Sequence, residues 1–106
     1  MNPGIKAILS ELQEQLQEIY GPRLVRLVLF GSQARGEATI GSDVDVLVVL
    51  QGPVDAGSEI NRTGGVVAEI SLAHDTVIAC VFMDEEHFLR RQGPFLRNIR
   101  REGIAL

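Results

Sequence analysis

Apolar residues recur at helical spacing near the start of the chain. They fall three or four positions apart within residues 3–20, which is the pattern of an amphipathic helix with one buried stripe. Asn2 can cap this helix, Pro3 suits its first turn, and the Gly21-Pro22 pair ends it. The residues that form the predicted stripe are Ile5, Ile8, Leu9, Leu12, Leu16 and Ile19.

Three shorter apolar runs have the length and composition of strands. Residues 24–30 and 76–83 are mainly apolar and rich in Val and Leu or other strand-favouring residues. Residues 43–50 alternate aspartate with valine at their start and become apolar on both faces beyond Asp45. This pattern predicts a strand that is buried on both sides and polar only at its first residues.

Further helical segments are predicted between and after these strands. Residues 58–74 have a helical period, although the glycine pair at Gly64 weakens the helix by up to about 1 kcal/mol per glycine relative to alanine. Asp84 has the position of a helix cap with acidic residues after it, and Pro94 begins a last helix that Gly103 ends.

The order of elements favours an α+β fold. Helix, strand, turn, strand, helix, strand and helix fit a small mixed β-sheet with helices packed mainly on one face. We expect residues 1–106 to form a single domain.

No apolar run approaches the roughly 20 residues of a membrane span, and the amphipathic start does not have the form of a signal peptide. The lone Cys80 cannot form an internal disulfide, so a cytoplasmic location is expected.

The charge balance argues against broad nucleic-acid affinity. The chain has 14 acidic and 10 basic residues, a net charge of -4, and one tyrosine, four phenylalanines and no tryptophan, so direct nucleic-acid binding is not expected. Five arginines between Arg90 and Arg101 could bind a phosphate, an acidic partner or RNA, but a mixed solvated face is favoured. His74 and His87 are 13 residues apart and have no cysteine or histidine partner at the spacing of a zinc site, which disfavours zinc binding.

The pattern that points to chemistry is Gly31-Ser32, ten residues, and then Asp43-Val44-Asp45. Alternate residues of a strand share a face, so the two carboxylates point the same way. Magnesium takes oxygen ligands and commonly shares one or two carboxylates with substrate phosphates. Gly31 permits the backbone to approach a phosphate closely, and Ser32 can donate to a phosphate oxygen. Arg35 can pair with triphosphate oxygens through its forked donors, or it can simply be solvated.

This spacing resembles the GS-x10-DxD signature of the DNA polymerase beta-like nucleotidyltransferase superfamily. The strand LVRLVLF and the tail PFLRNIRREGI resemble its minimal nucleotidyltransferase (MNT) branch. The resemblance implies a nucleotidyltransferase-like core and Mg²⁺ or Mn²⁺ on Asp43 and Asp45. It also implies that Gly31 and Ser32 hold the triphosphate of a nucleotide.

Active members of the superfamily place a third acidic residue on the neighbouring strand, where it helps to activate the attacking hydroxyl. The run TVIACVFM contains no acid, so Asp75, immediately before it, is the tentative third catalytic residue, although a strand-edge role is the simpler interpretation. Glu69 is more remote. If neither reaches the site, a rate loss of roughly 10²–10⁴ is expected.

Three hypotheses follow. In the first, the chain is an enzyme that transfers a nucleoside monophosphate to a protein or small-molecule hydroxyl, and AMP from ATP is the expected group. The resemblance implies that it does so as the antitoxin-type partner of a helical HEPN protein. The alternative is a catalytically weak or inactive nucleotide-binding module that neutralises its partner by binding. Phe95, Leu96 and Ile99 are candidates for that interface, with core packing favoured.

Overall fold

The computed structural model describes residues 3–37 and 43–106, so the predicted Asn2 cap and most of the loop before Asp43 lie outside the described residues. A single turn of 3₁₀-helix, Gly21–Arg23, joins the first two elements. In chain order the elements are α1 Pro3–Tyr20, β1 Leu24–Phe30, α2 Ser32–Arg35, β2 Val44–Leu50, α3 Ala56–Ala73, β3 Ile78–Asp84, α4 Glu85–Arg90, α5 Pro94–Glu102 and β4 Ile104–Ala105.

The predicted elements are present with small shifts at their ends. Helix α1 and strand β1 have the predicted bounds, whereas α3 begins two residues earlier than expected. The glycine pair at Gly64 does not interrupt α3, and a Cβ there would meet nothing within 4 Å. Asp84 caps α4 as predicted, because its Oδ1 accepts a hydrogen bond from the backbone N–H of His87 at 2.7 Å.

The four strands form one mixed sheet in the order β3-β2-β1-β4. Strand β2 lies antiparallel to β1, with Asp45 opposite Phe30, and parallel to β3, with Asp45 beside Ala79. Strand β4 pairs antiparallel with Val28 and Leu29 of β1. The predicted α+β class with a mixed sheet is therefore confirmed.

Helices cover the sheet unequally, as predicted. The two 18-residue helices, α1 and α3, pack on one face and enclose the main core. The shorter α4 and α5 lie on the other face over a smaller core. That second core contains Val28, Leu47, Val49, Leu96 and Ile99, so Leu96 and Ile99 have the core role that the sequence favoured.

Strand β4 was not predicted. Its two residues, Ile104 and Ala105, have no strand periodicity of their own, and their pairing with β1 depends on the return of α5 across the sheet. Leu106 extends the contact by donating its backbone N–H to the carbonyl of Leu27 at 3.0 Å. In the described residues, no helix has both the length and the apolar character needed to cross a membrane.

A buried carboxylate joins the ends of α1 and α3. Glu59 is 3% exposed and accepts a hydrogen bond from the Tyr20 hydroxyl at 2.8 Å. Arg62 lies 3.6 Å from the same Oε1. Burial is the largest cause that raises the pKa of Tyr20, followed by the hydrogen bond to Glu59. The tyrosine therefore stays neutral and serves as a hydrogen-bond donor to Glu59.

We expect Tyr20→Phe to destabilise the protein by about 1–3 kcal/mol, because it leaves the buried carboxylate of Glu59 without its hydroxyl donor. Urea unfolding measures the change. Ser58→Ala is the matched control, since Ser58 donates to Asp55 at 2.7 Å in an exposed hydroxyl–carboxylate bond and its loss should cost less than about 0.5 kcal/mol. Equal effects of the two substitutions would contradict the role assigned to Glu59 and Tyr20.

Candidate functional site

The two aspartates lie at the beginning of β2. Asp43 immediately precedes the strand and is exposed, whereas Asp45 is half-buried. Val44 lies between them and points into the main core under α1 and α3. Asp45 therefore points to the opposite face of the sheet, together with Leu47 and Val49, and we call this the aspartate face. Both of those residues are fully buried, so the carboxylates mark the polar rim of an otherwise apolar strand, as predicted.

Gly31 lies directly against the carboxylate of Asp45. It follows β1 with φ 75° and ψ -159°, a backbone conformation that L side chains rarely adopt. A Cβ at this position would overlap Oδ2 of Asp45 and come within 3.3 Å of its Cγ. The structure thus brings together the glycine of the Gly-Ser pair and the second aspartate. Glycine is needed here for both its conformation and its lack of a side chain.

The carboxylate of Asp45 is destabilised in its ionised form. Burial is the main cause that raises the pKa of Asp45 above its usual range, and the neighbouring charge of Asp43 raises it further. Two clustered carboxylates without a counter-charge repel each other. A divalent cation would offset the cost of burying the Asp45 charge and reduce its repulsion from Asp43. This donor set therefore fits a hard metal that prefers oxygen ligands, such as Mg²⁺.

Ser32 begins the four-residue helix α2 immediately after Gly31. The carbonyl of Gly31 accepts hydrogen bonds from the backbone N–H groups of Ala34 and Arg35, at 3.1 and 3.2 Å. Gly36 ends the helix in the left-handed conformation and donates to the carbonyl of Ser32. Ser32 is half-buried in this tight turn and directly follows Gly31, the residue that approaches the carboxylate of Asp45. Its phosphate-binding role stays a prediction.

Arg35 is held by two carboxylates. Its Nε donates to Oε2 of Glu37 at 2.9 Å, and its Nη1 lies 3.5 Å from Oε2 of Glu102 at the end of α5. The hydrogen bond to Glu37 is the largest of the causes that raise the pKa of Arg35. A triphosphate would have to compete with both carboxylates for this guanidinium. Sequence reasoning missed Glu102, which lies 67 residues after Arg35 in the chain and belongs to no recognisable motif.

Asp75 lies on the opposite side of the sheet from the carboxylate of Asp45. It is exposed, has φ 49°, and follows α3 in a tight turn. It lines a depression with Ser71 and Leu72 of α3, the helix that covers the other face. Its catalytic role is therefore not supported by its position and stays a prediction.

Ala79 occupies the position next to Asp45 on the neighbouring strand. Paired residues of adjacent strands share a face, so an acidic residue there would point toward Asp45. In the chain as it stands that position is apolar. Across residues 3–37 and 43–106, no group of three or more His, Cys, Asp or Glu side chains is arranged to hold a metal ion. A metal on Asp43 and Asp45 would need its remaining ligands from phosphate oxygens or water.

The fold and the site together define the class of protein. A mixed sheet whose second strand opens on two alternate aspartates, packed against a glycine-serine turn, is the arrangement of a nucleotidyltransferase domain. Residues 9–104 match the family model described as "Nucleotidyltransferase domain". The chain belongs to this family and is a nucleotidyltransferase, so the superfamily predicted from the GS-x10-DxD spacing is confirmed.

Two curated proteins of Methanocaldococcus jannaschii are similar over much of the chain. Both are named "putative protein adenylyltransferase". The first is 35% identical over 102 residues, which is 95% of this chain and 95% of that protein. The second is 32% identical over 72 residues, which is 68% of this chain and 72% of that protein.

Solved structures share the fold at lower sequence identity. A chain of a toxin–antitoxin structure with AMP-PNP aligns with a TM-score of 0.66 at 18% identity, over 91% of this chain and 69% of that chain. A chain from a complex of a tri-AMPylated Shewanella oneidensis HEPN toxin with an MNT antitoxin has a TM-score of 0.59 at 18% identity, over 94% and 69%. A structure described as a "putative nucleotidyltransferase from Sulfolobus solfataricus" has a TM-score of 0.57 at 20% identity, over 99% of this chain and 86% of that chain.

We expect Gly31→Ala to destabilise the fold by at least about 2 kcal/mol, since it combines a backbone conformation open essentially to glycine with overlap on Asp45. Gly36→Ala is the control: its φ is 71°, but a Cβ there would meet nothing within 4 Å. It should cost only about 1 kcal/mol. Denaturant unfolding measures both. Equal losses would show that backbone strain alone, and not the approach to Asp45, makes Gly31 necessary.

Asp45→Asn should stabilise the metal-free protein at pH 7. A carboxyl whose pKa is raised by folding opposes folding when it is ionised, and this penalty vanishes below the unfolded pKa of about 3.9. The gain from asparagine should therefore shrink as the pH is lowered toward 4. Unfolding in EDTA-containing buffers across this range measures it.

Asp84→Asn should behave in the opposite way. The hydrogen bond from the His87 backbone is the largest cause that lowers the pKa of Asp84. Its ionised form therefore supports folding above the unfolded pKa, and this support is lost as the pH falls through the folded pKa. The asparagine variant should be less stable at pH 7, with a difference that fades in acid. The same sign for both variants would contradict the assigned electrostatics of Asp45.

Proposed function

We propose that the protein transfers AMP from ATP to a hydroxyl group of a partner protein and that this transfer depends on Mg²⁺ held by Asp43 and Asp45. The observation that carries the proposal is the placement of the Asp45 carboxylate against the backbone of Gly31. This placement supports the proposal, because a metal held by that carboxylate would lie beside the turn proposed to bind the triphosphate. The family and the curated adenylyltransferases support the reaction class.

In the proposed reaction the acceptor hydroxyl oxygen attacks the α-phosphorus of ATP. The bond from that phosphorus to the bridging oxygen of the β-phosphate breaks, pyrophosphate leaves, and the hydroxyl proton passes to solvent or to a base. When bound, Mg²⁺ would offset the negative charge that develops on the phosphate oxygens. Gly31 leaves room for a phosphate, and Ser32 supplies a hydroxyl and a backbone N–H.

The proposed partner is a HEPN-type protein. Support comes from the shared fold with chains of toxin–antitoxin complexes, one of them solved with a tri-AMPylated HEPN toxin. Modification of a protein hydroxyl also agrees with the name of the Methanocaldococcus relatives. The net charge of -4 favours a protein acceptor over a nucleic acid.

A second function is favoured by one specific observation. Ala79, and not an acidic residue, lies beside Asp45 on β3, and Asp75 lies on the side of α3. A site without a third carboxylate would lack an evident general base, so transfer would be slowed by roughly 10²–10⁴. The chain would then bind nucleotide and neutralise its partner through contact.

Isothermal titration of ATP into the protein tests the nucleotide site. We expect binding that requires Mg²⁺ and that weakens at least about tenfold in Asp43→Asn/Asp45→Asn, because the metal loses both carboxylate ligands. The control is Glu14→Gln/Glu18→Gln, which removes two exposed carboxylates of α1 and should leave binding unchanged. No nucleotide binding at millimolar ATP would overturn the proposal for the isolated chain.

Co-expression with a HEPN protein separates transfer from neutralisation by contact. Mass spectrometry of the HEPN protein should show added AMP with the wild-type chain and none with Asp43→Asn/Asp45→Asn. Neutralisation that persists in the double variant without added AMP would favour the second function.

A further inference from the structure

A second depression lies on the aspartate face, toward the beginning of β1. Its volume is about 320 Å³, and residues of β1, α4 and α5 line it. The apolar part of the lining comes from Val28, Leu89 and Ile99, with Leu89 68% exposed at the rim. The polar part comes from the guanidinium groups of Arg26 and Arg100, and no acidic residue of the described chain lines the depression.

Both guanidinium groups contact one aromatic ring. The Cζ atoms of Arg26 and Arg100 lie 5.8 and 6.0 Å from the ring centroid of Phe88. Neither arginine forms an ion pair with any acidic side chain among the described residues. Two like charges are therefore gathered at one ring without a carboxylate to balance them, which makes this part of a net acidic protein locally cationic.

Arg100 is fixed in place by the backbone of α4. Its Nη2 donates to the carbonyl oxygens of Phe88 and Arg91, the latter at 2.9 Å. These bonds use part of the guanidinium and leave its other donors available. By contrast, Arg35, Arg62 and Arg90 each have a carboxylate partner.

We propose that this depression docks a short acidic segment of a partner protein. One carboxylate would lie between Arg26 and Arg100 and accept charge-assisted hydrogen bonds from both. An aliphatic neighbour of that carboxylate would cover the exposed side chain of Leu89 and the edge of Phe88. A single carboxylate with an apolar neighbour suits two adjacent arginines in an apolar depression. An extended polyanion, by contrast, would be repelled by the net negative charge of the chain.

The docking site and the aspartates share one face of the sheet. Arg26 and Phe30 are four positions apart on β1, which corresponds to about 13 Å, and Phe30 lies opposite Asp45. A protein held at Arg26 would therefore lie next to the nucleotide site. That the docked protein is the acceptor of AMP rests on the proposed function. That an acidic segment binds in the depression does not depend on it.

Fluorescence anisotropy with a labelled, end-capped peptide Leu-Glu-Leu-Glu-Leu tests the proposal, with Leu-Gln-Leu-Gln-Leu as the neutral probe. We expect the glutamate peptide to bind the wild type at least about tenfold more tightly than the glutamine peptide. Arg26→Glu should weaken its binding by a similar factor. Arg26→Met, which retains an unbranched stem over Phe88, should also weaken it.

Arg97→Glu is the matched control, since it makes the same charge change on an exposed residue of α5 and should alter the affinity less than about twofold. An equal loss in Arg97→Glu, or no binding of the glutamate peptide at millimolar concentration, would overturn the proposal. So would an oligouridylate that binds more tightly than the peptide and displaces it, because the site would then be for nucleic acid. Asp43→Asn/Asp45→Asn should retain peptide binding, so a failed nucleotide site and a failed docking site are distinguishable.

Discussion

The antiparallel pairing of β1 with β2 is the constraint on which the candidate site depends. It places Phe30 opposite Asp45, so that the residue after Phe30 turns directly beneath the carboxylate. A one-residue slip would turn Asp45 into the core and a valine toward Gly31, because successive side chains alternate faces. The register is fixed by burial on both faces: Leu47 and Val48 are each fully enclosed, on opposite sides. The hydrophobic core and the placement of the aspartates are therefore consequences of the same pairing.

The site combines a rigid apolar support with unbalanced negative charge at its rim. Strand β2 is central in the sheet, and the residues that follow Asp45 are buried, so this carboxylate has little freedom to move away from Asp43. The resulting repulsion and burial are unfavourable to the protein alone, as the raised pKa of Asp45 indicates. If a cation bound here, as the proposed function requires, it would stabilise the folded state, because a ligand that binds only the folded protein shifts the equilibrium toward it.

Helix α5 connects several parts of the aspartate face. Leu96 and Ile99 anchor it to the sheet, and Phe95 packs edge-on against Phe30 with ring centroids 5.4 Å apart. Its last turn supplies Glu102 to Arg35, and Arg100 extends in another direction to the end of α4. A single amphipathic helix thus covers the smaller core, places Glu102 beside Arg35 of α2 and contributes Arg100 to the depression that Arg26 also lines. Displacement of this helix would alter the surroundings of Arg35 and the depression lined by Arg26 and Arg100 together.

The sequence by itself determined the long helices, the strands β1 to β3 and the two alternate aspartates at the start of β2, because periodicity and alternation are local properties of the chain. The order of these elements indicated a mixed sheet, but strand β4 was not predicted. The spacing of Gly31-Ser32 from Asp43 also indicated the family, since it is the length of the connection between two strands that are neighbours in the sheet. Only the tertiary structure decided that Ala79 lies beside Asp45, that Asp75 lies on the α3 side, and that Glu102 holds Arg35. It also brought Arg26 and Arg100 to one ring. These relations join residues that are tens of positions apart. They are set by strand register and helix packing, which no local sequence pattern encodes.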